Sequence, residues 1–176
     1  MDYDQPMIKN SSFNDYPSRR ALLLGFASLS FMPLSAHAAD PSVAHVTSPR
    51  ILGKADAPIR VIELFSMTCS HCASFHNNTF PDVKKRLIDT GMVRFEMQPF
   101  PLDQVALRAH ALARALPQNK YFPMVSMLLK DIDRWARNPD PLAALLQMAR
   151  LAGMRAAEFE AVMNNRPLLE AIVAMR

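Results

Sequence analysis

The sequence predicts an α/β domain in which a short βαβ unit is followed by a run of helices. Ile59 to Phe65 (IRVIELF) is mostly apolar and rich in β-branched and aromatic residues, the composition of a buried central strand. Met92 to Phe100 alternates, Val93, Phe95 and Met97 against Arg94, Glu96 and Gln98, which is the period of a second strand. From Asp103 onward apolar residues recur at helical spacing. With 50% hydrophobic and 20% charged residues, no repeat and no low-complexity tract, the chain reads as one globular domain and not as a disordered or fibrous protein.

The elements follow in order. Arg19-Arg20 precede an apolar stretch, Ala21 to Leu34, that is too short to span a bilayer and ends at the small-residue site Ala36-His37-Ala38. This predicts a secretory signal peptide over residues 1–38 and a mature domain over 39–176. Cleavage after Ala38 removes Lys9, Arg19 and Arg20 together with Asp2, Asp4 and Asp15, so the net charge stays at +4. The paired arginines fit a twin-arginine (Tat) signal, although the usual phenylalanine and lysine do not follow them, and they fit the basic region of a Sec signal equally well. No cysteine follows the apolar stretch, so a lipid anchor is not indicated. Ala73 to Thr90 has helical spacing interrupted at Pro81, with Phe75, Phe80, Val83 and Leu87 on the inner face and Gly91 as its stop. Lys84-Lys85-Arg86, the nearest thing to a basic run, reads as the solvated face of this helix, and no nucleic-acid partner is expected.

Asp103 caps a further helix with the stripe Val105, Ala109, Leu112 and Leu116, ended by Pro117. Tyr121 to Trp135 forms another. Asp140 and Pro141 open a third, with Leu142, Leu145, Leu146, Ala149 and Ala152 on one side and Gly153 after it. Arg155 to Asn164 and Arg166 to Met175 give two more. The methionines read as core filler, and His110 and Trp135 as core residues.

The chemistry is concentrated in one stretch, FSMTCSHCASFH, Phe65 to His76, which holds the only two cysteines. In an exported protein disulfides persist, and within one chain Cys69 can pair only with Cys72. So short a loop constrains the unfolded chain little, which argues against a purely structural staple. A zinc site would need two more ligands from His45, His71, His76 or His110, and no second paired motif exists. A dithiol at a strand-to-helix turn is the better reading. Cys69 stands at the helix N-terminus, where unpaired backbone N–H groups and the positive end of the helix dipole favour its thiolate. A protonated or hydrogen-bonding His71 would add to this. Cys72, one step further in, is the more buried, resolving thiol. A stabilised reduced form means an oxidising disulfide. Glu63, a carboxylate in an apolar strand, is either buried and then paired or protonated, or turned to solvent at an edge.

GKADAP (Gly53 to Pro58), VIELFSMTCSHC (Val61 to Cys72) and MQPFPLD (Met97 to Asp103) resemble the DsbA family of periplasmic thiol:disulfide oxidoreductases, especially its single-domain bacterial branch. The likeness runs from about Ile51 to Arg176. It implies a thioredoxin-like fold with an inserted helical subdomain, residues 51–101 forming the βαβ part and 102–176 the insert. It further implies a Cys-x-His-Cys active site at Cys69, His71 and Cys72, with Cys69 as nucleophile and Cys72 as its resolving partner. Glu63 matches the acidic residue that handles the proton of the buried thiol. No cofactor is implied beyond the Cys69–Cys72 disulfide. The implied partners are reduced exported polypeptides as substrates, a membrane quinone-linked reoxidase of the DsbB type, and the export machinery. Ser70 stands where the family commonly has proline, a position that tunes redox poise. Two other readings use the same residues: a disulfide reductase or isomerase, and a non-enzymatic metal-binding or chaperone module on Cys69, Cys72 and His76.

In the family the fold is completed by a loop with a cis-proline beside the dithiol, two closing strands and a last helix. No counterpart is legible before Arg176: the final proline, Pro167, lies in a helical pattern, and PLLEAIVAMR is apolar on two sides, Leu168, Ile172 and Met175 against Leu169 and Val173. The expectation is a chain truncated at the C-terminus, with an open sheet edge and an incomplete polypeptide-binding groove.

Overall fold

In a computed structural model, residues 41–176 are described. The expected signal peptide, with its arginine pair and cleavage site, lies outside the described residues. The order is α1 (Val43–Thr47), β1 (Ile51–Leu52), β2 (Ile59–Phe65), α2 (residues 70–88), β3 (Val93–Pro99), α3 (Gln104–Ala115), α4 (Gln118–Lys130), α5 (Ile132–Ala136), α6 (Pro141–Leu151), α7 (Ala156–Asn164) and α8 (Arg166–Val173). β2 and β3 pair in parallel, Glu63 opposite Met97 and Phe65 opposite Pro99, with α2 as the crossover. β1 pairs antiparallel with β3 through Ile51–Glu96 and Leu52–Phe95, so the sheet order is β1-β3-β2. This is the expected βαβ unit in a mixed sheet, followed by the expected helical layer.

One expectation about the sheet fails. β2 reads as a buried central strand, yet it is the edge strand of the described sheet. Ile59, Val61, Ile62 and Leu64 are between 38% and 54% exposed, and only Phe65 of the seven is buried. A strand apolar on both faces needs neighbours on both sides to hide it, and among the described residues β3 pairs with one side only. β3 carries the core side of the sheet instead: Val93, Phe95 and Met97 are buried as their alternation predicts. Glu96, on the opposite face, is buried too, where its carboxylate accepts from Arg60 at 2.7 Å.

The dithiol helix begins earlier than the expected Ala73, ends at Ile88, two residues short of the expected Thr90, and is continuous through Pro81. It starts at Ser70, and Pro81 widens it without ending it. Proline offers no N–H to residue 77 and its ring crowds that carbonyl, so the preceding turn, Phe75–Thr79, opens to a π turn in which the Phe80 N–H donates to Phe75 O. A second π turn, Lys84–Ile88, ends with the Asp89 N–H on Lys84 O. Each widened turn inserts a residue and rotates the downstream face. Hence Ile88 is buried and Leu87, expected inward, is 41% exposed. Gly91, at φ +84°, stops the helix as predicted. Gly53, at φ +94°, turns the chain out of β1 so closely under β3 that a Cβ would strike the Val93 carbonyl oxygen.

α3 is the spine of the helical layer. Asp103 caps it, accepting from the Ala106 N–H at 2.6 Å. Its alanines Ala106, Ala109, Ala111 and Ala113 are fully buried, which lets α1, α4, α6, α7 and α8 all approach it. Tyr121 to Trp135, read as one helix, is two: α4 ends at Lys130 and α5 begins at Ile132, because Asp131 leaves helical geometry at φ −110°, ψ 30°. Trp135 is fully buried and donates its indole N–H to Leu128 O at 2.8 Å. Leu142, expected on the inner stripe of α6, lies in its first turn and is 43% exposed. On α8, Leu168 and Ile172 are buried while Leu169 and Val173 pack on the core from the flank.

Candidate active site

The site is built where β2 meets α2. The strand end dives inward, Phe65, Ser66 and Met67 all being buried, with the Phe65 ring edge-on to buried His110 of α3 at 4.9 Å. The loop before α3 fixes the turn from the other side. The Thr68 hydroxyl donates to Asp103 Oδ2 at 2.6 Å, and the Leu102 N–H donates to Ser66 Oγ at 3.4 Å. Asp103 therefore does two jobs, capping α3 and holding the residue before Cys69. The sequence shows only the first, because the second depends on a partner 35 positions away.

Cys69 occupies the N-cap position of α2, a place usually held by an oxygen-bearing side chain, and its Sγ accepts from the Cys72 backbone N–H at 3.4 Å. That N–H, with help from the Cys72 thiol and the His71 backbone N–H, holds the Cys69 thiol below its ordinary value, overcoming the opposing effect of burial. Cys72 goes the other way. Burial pushes its thiol up to about 11, and charge on Cys69 and on Glu63 adds to the rise, against a hydrogen bond with the Ser66 backbone. Two thiols three residues apart are thus placed in opposite environments by one helical turn. His71 is brought to the same turn with its side chain exposed, and it acts on Cys69 through its backbone N–H.

Glu63 is half-buried on β2, with Oε2 enclosed and without a protein partner. The position lies between the two expected alternatives, burial and an exposed edge. Burial raises its carboxyl from 4.5 to about 7. In the window between those values the folded chain keeps a proton that the unfolded chain has lost, so this carboxyl makes the fold less stable as pH rises through it. Glu63→Gln removes the effect. Compared with the variant, the wild type is expected to lose about 2 kcal/mol between pH 5 and pH 8, after allowance for the part of the carboxyl that water screens. Urea midpoints at both pH values check this; parallel pH dependence in the two proteins would sink it.

The other histidines are committed elsewhere. His76 is buried, with Nε2 at 3.0 Å from Ser126 Oγ, and His45 lies against Leu116 O at 3.0 Å. Among the described residues no group of three or more His, Cys, Asp or Glu side chains is arranged to hold a metal ion. A buried feature absent from the sequence reading lies behind the site. The guanidiniums of Arg50 and Arg114 both lie over the Tyr121 ring, at 5.3 and 5.5 Å from its centre. Nothing in the local pattern around these arginines marks them as interior.

The thioredoxin family model matches residues 45–176, nearly the whole described region. Alpha-DsbA1 of Wolbachia pipientis superposes with a TM-score of 0.66 at 34% identity, covering 73% of this chain and 65% of that one. A threonine-to-valine variant of the same Wolbachia protein gives 0.67 at 32% identity, over 76% of this chain and 70% of that one. The chain belongs to the DsbA family of thioredoxin-fold proteins. A Rickettsia felis protein that carries the name protein-disulfide oxidoreductase is 30% identical over 125 residues, 70% of this chain and 45% of the relative. BdbD of Bacillus subtilis, in its oxidised form, shares the fold at a TM-score of 0.56 and 19% identity over 77% of this chain and 74% of that one. This DsbA-family chain spans about half the length of the curated relatives it matches.

Proposed function

We propose that this protein exchanges disulfides with exported polypeptides through the Cys69–Cys72 pair, in the oxidising direction. The observation that carries the proposal is the opposed setting of the two thiols, Cys69 lowered by N–H groups at the helix start and Cys72 raised to about 11 by burial. A substrate thiolate attacks Cys69 Sγ, the Cys69–Cys72 bond breaks, and Cys72 departs carrying the electron pair. A thiolate that titrates near 11 leaves poorly unless protonated. Glu63, holding its proton up to about pH 7, supplies it. A second substrate thiolate then attacks the substrate sulfur of the mixed disulfide and expels Cys69 as a stabilised thiolate. The substrate has lost two electrons and two protons, and the protein has become a dithiol.

On this reading Cys69 is the nucleophile, Cys72 the resolving thiol, Glu63 the proton donor and His71 a support of the Cys69 thiolate. The disulfide serves as the only redox group. Residues 39–176 form the working domain, 51–101 its βαβ part and 102–176 the helical insert, exported to the periplasm by Sec or Tat after loss of residues 1–38. A membrane quinone-linked partner of the DsbB type restores the disulfide. The test is alkylation of each thiol against pH, with redox titration against glutathione. Cys69 is expected to alkylate at lower pH than an ordinary thiol, Cys72 to resist until strongly alkaline pH, and the disulfide to oxidise glutathione. A Cys69 that titrates like a free thiol would remove the proposal.

A further inference from the structure

A cleft of about 250 Å³ opens beside the dithiol, between the turn that carries it and α5. Thr68 and Ser70, the neighbours of Cys69 on either side, both line it. The Cys69 Cα is therefore one peptide unit, about 3.8 Å, from two points on the wall. Val105, Ile132 and Ala136 supply an apolar surface, and Asp103, Asp133 and Arg137 supply the charges. Asp103 is held by its bonds to the Ala106 N–H and the Thr68 hydroxyl, each 2.6 Å. Asp133 pairs with Arg137 at 3.1 Å, but these side chains are 70% and 75% exposed, so water screens the pair. Two carboxylates against one guanidinium leave the cleft net negative over an apolar wall.

We propose that this cleft receives a basic side chain, lysine or arginine, that stands within two residues of the reacting cysteine of a polypeptide substrate. The inference rests on exchange at Cys69 as proposed above and names the substrates that site prefers. The reach fits. In a mixed disulfide the two Cα atoms lie about 5.5–6 Å apart, and an extended chain advances about 3.3 Å per residue, so a residue one or two places from the substrate cysteine stands over Thr68 or Ser70. The aliphatic stem of a lysine or arginine covers Val105, Ile132 and Ala136 while its charge meets the carboxylates. An acidic side chain in the same place meets two like charges.

The experiment gives the oxidised protein reduced peptides that each hold one cysteine, with Lys, Ala or Glu two residues from it. The Cys69–Cys72 disulfide is the oxidant, and two peptide thiols become one peptide disulfide. The lysine peptide is expected to react about three- to five-fold faster than the glutamate peptide at low salt, and the ratio to fall toward one at high salt. This preference would run against the formal net charge of +4, which by itself draws acidic peptides. Asp133→Lys should invert the ratio and Asp133→Asn should lower it; as a ratio within one preparation, it does not depend on how much of a variant folds. Equal rates at low salt, or a ratio that Asp133→Lys leaves unchanged, would overturn the cleft assignment. Oxidation of the neutral thiol 2-mercaptoethanol by the wild-type Cys69–Cys72 disulfide separates the two levels. Reaction with it but no lysine preference overturns the cleft alone, whereas no reaction overturns exchange at Cys69 and the cleft with it.

Discussion

Cys69→Ala is expected to abolish disulfide exchange, a fall of more than about a thousandfold, while Cys72→Ala, whose lone Cys69 thiolate opens a disulfide of an oxidised substrate and releases one substrate thiol, is expected to stop at the mixed disulfide with that substrate attached to Cys69. The asymmetry comes from position within a single turn. Cys69 is the cap of α2, with its sulfur taking the Cys72 N–H, so on the proposed mechanism it is the sulfur that exchanges with substrate and the thiolate that leaves easily. Cys72 is more deeply set, and its high proton affinity makes it slow to meet external partners. With Cys72 gone nothing inside the protein resolves a mixed disulfide, which should accumulate and be visible as an adduct by mass spectrometry under non-reducing conditions. Capture of substrate by Cys69→Ala, with none by Cys72→Ala, would reverse the two roles.

Arg114→Ala is expected to lower unfolding stability by about 3 kcal/mol, the scale of a broken buried polar network. Arg114 is fully buried on α3. It donates Nε to Val46 O and a terminal nitrogen to Ser48 O at 2.7 Å, and its guanidinium lies over the Tyr121 ring. Arg50, also fully buried, lies over the same ring and donates to His45 O at 3.1 Å and Arg114 O at 3.0 Å. Together they fasten the segment that carries α1 and β1 to the helical layer. Truncating Arg114 strands the Val46 and Ser48 carbonyls and removes a cation from the buried Tyr121 ring, a larger loss than a surface arginine gives. Arg108→Ala, on the outer flank of the same helix, should change stability by no more than about 0.5 kcal/mol. Urea unfolding of both variants checks the pair; a cost below about 1 kcal/mol for Arg114→Ala would mean that the clamp does not hold the segment.

What was legible in the sequence depended on neighbours a few residues apart. The alternation of β3 set its core face because strand geometry repeats every two residues. Asp103 and Asp140 announced their helices because a cap and the N–H it accepts are three positions apart. The dithiol was legible for the same reason: strand, cysteine pair and helix follow one another directly, and the pull on Cys69 comes from backbone N–H groups of its own turn.

Other properties needed the fold. Pro81 signals a disturbance, but whether a helix breaks or widens at a proline depends on what packs beyond it. Here the widened turns carried the helix on and exchanged Leu87 for Ile88 in the core. The apolar composition of β2 recorded what the strand is able to bury, while its actual exposure followed from the sheet order β1-β3-β2. The cluster of Arg50, Tyr121 and Arg114, the second bond of Asp103 and the cleft beside Cys69 join residues tens of positions apart. No local period encodes such contacts, because a side chain's partner across a packed layer is chosen by how the layers meet. Local pattern was enough to mark the dithiol, its helix and the class of fold. How far each thiol and Glu63 is shielded from water came from packing alone, since burial is a property of everything around a group and sets its proton affinity as strongly as the group's own chemistry.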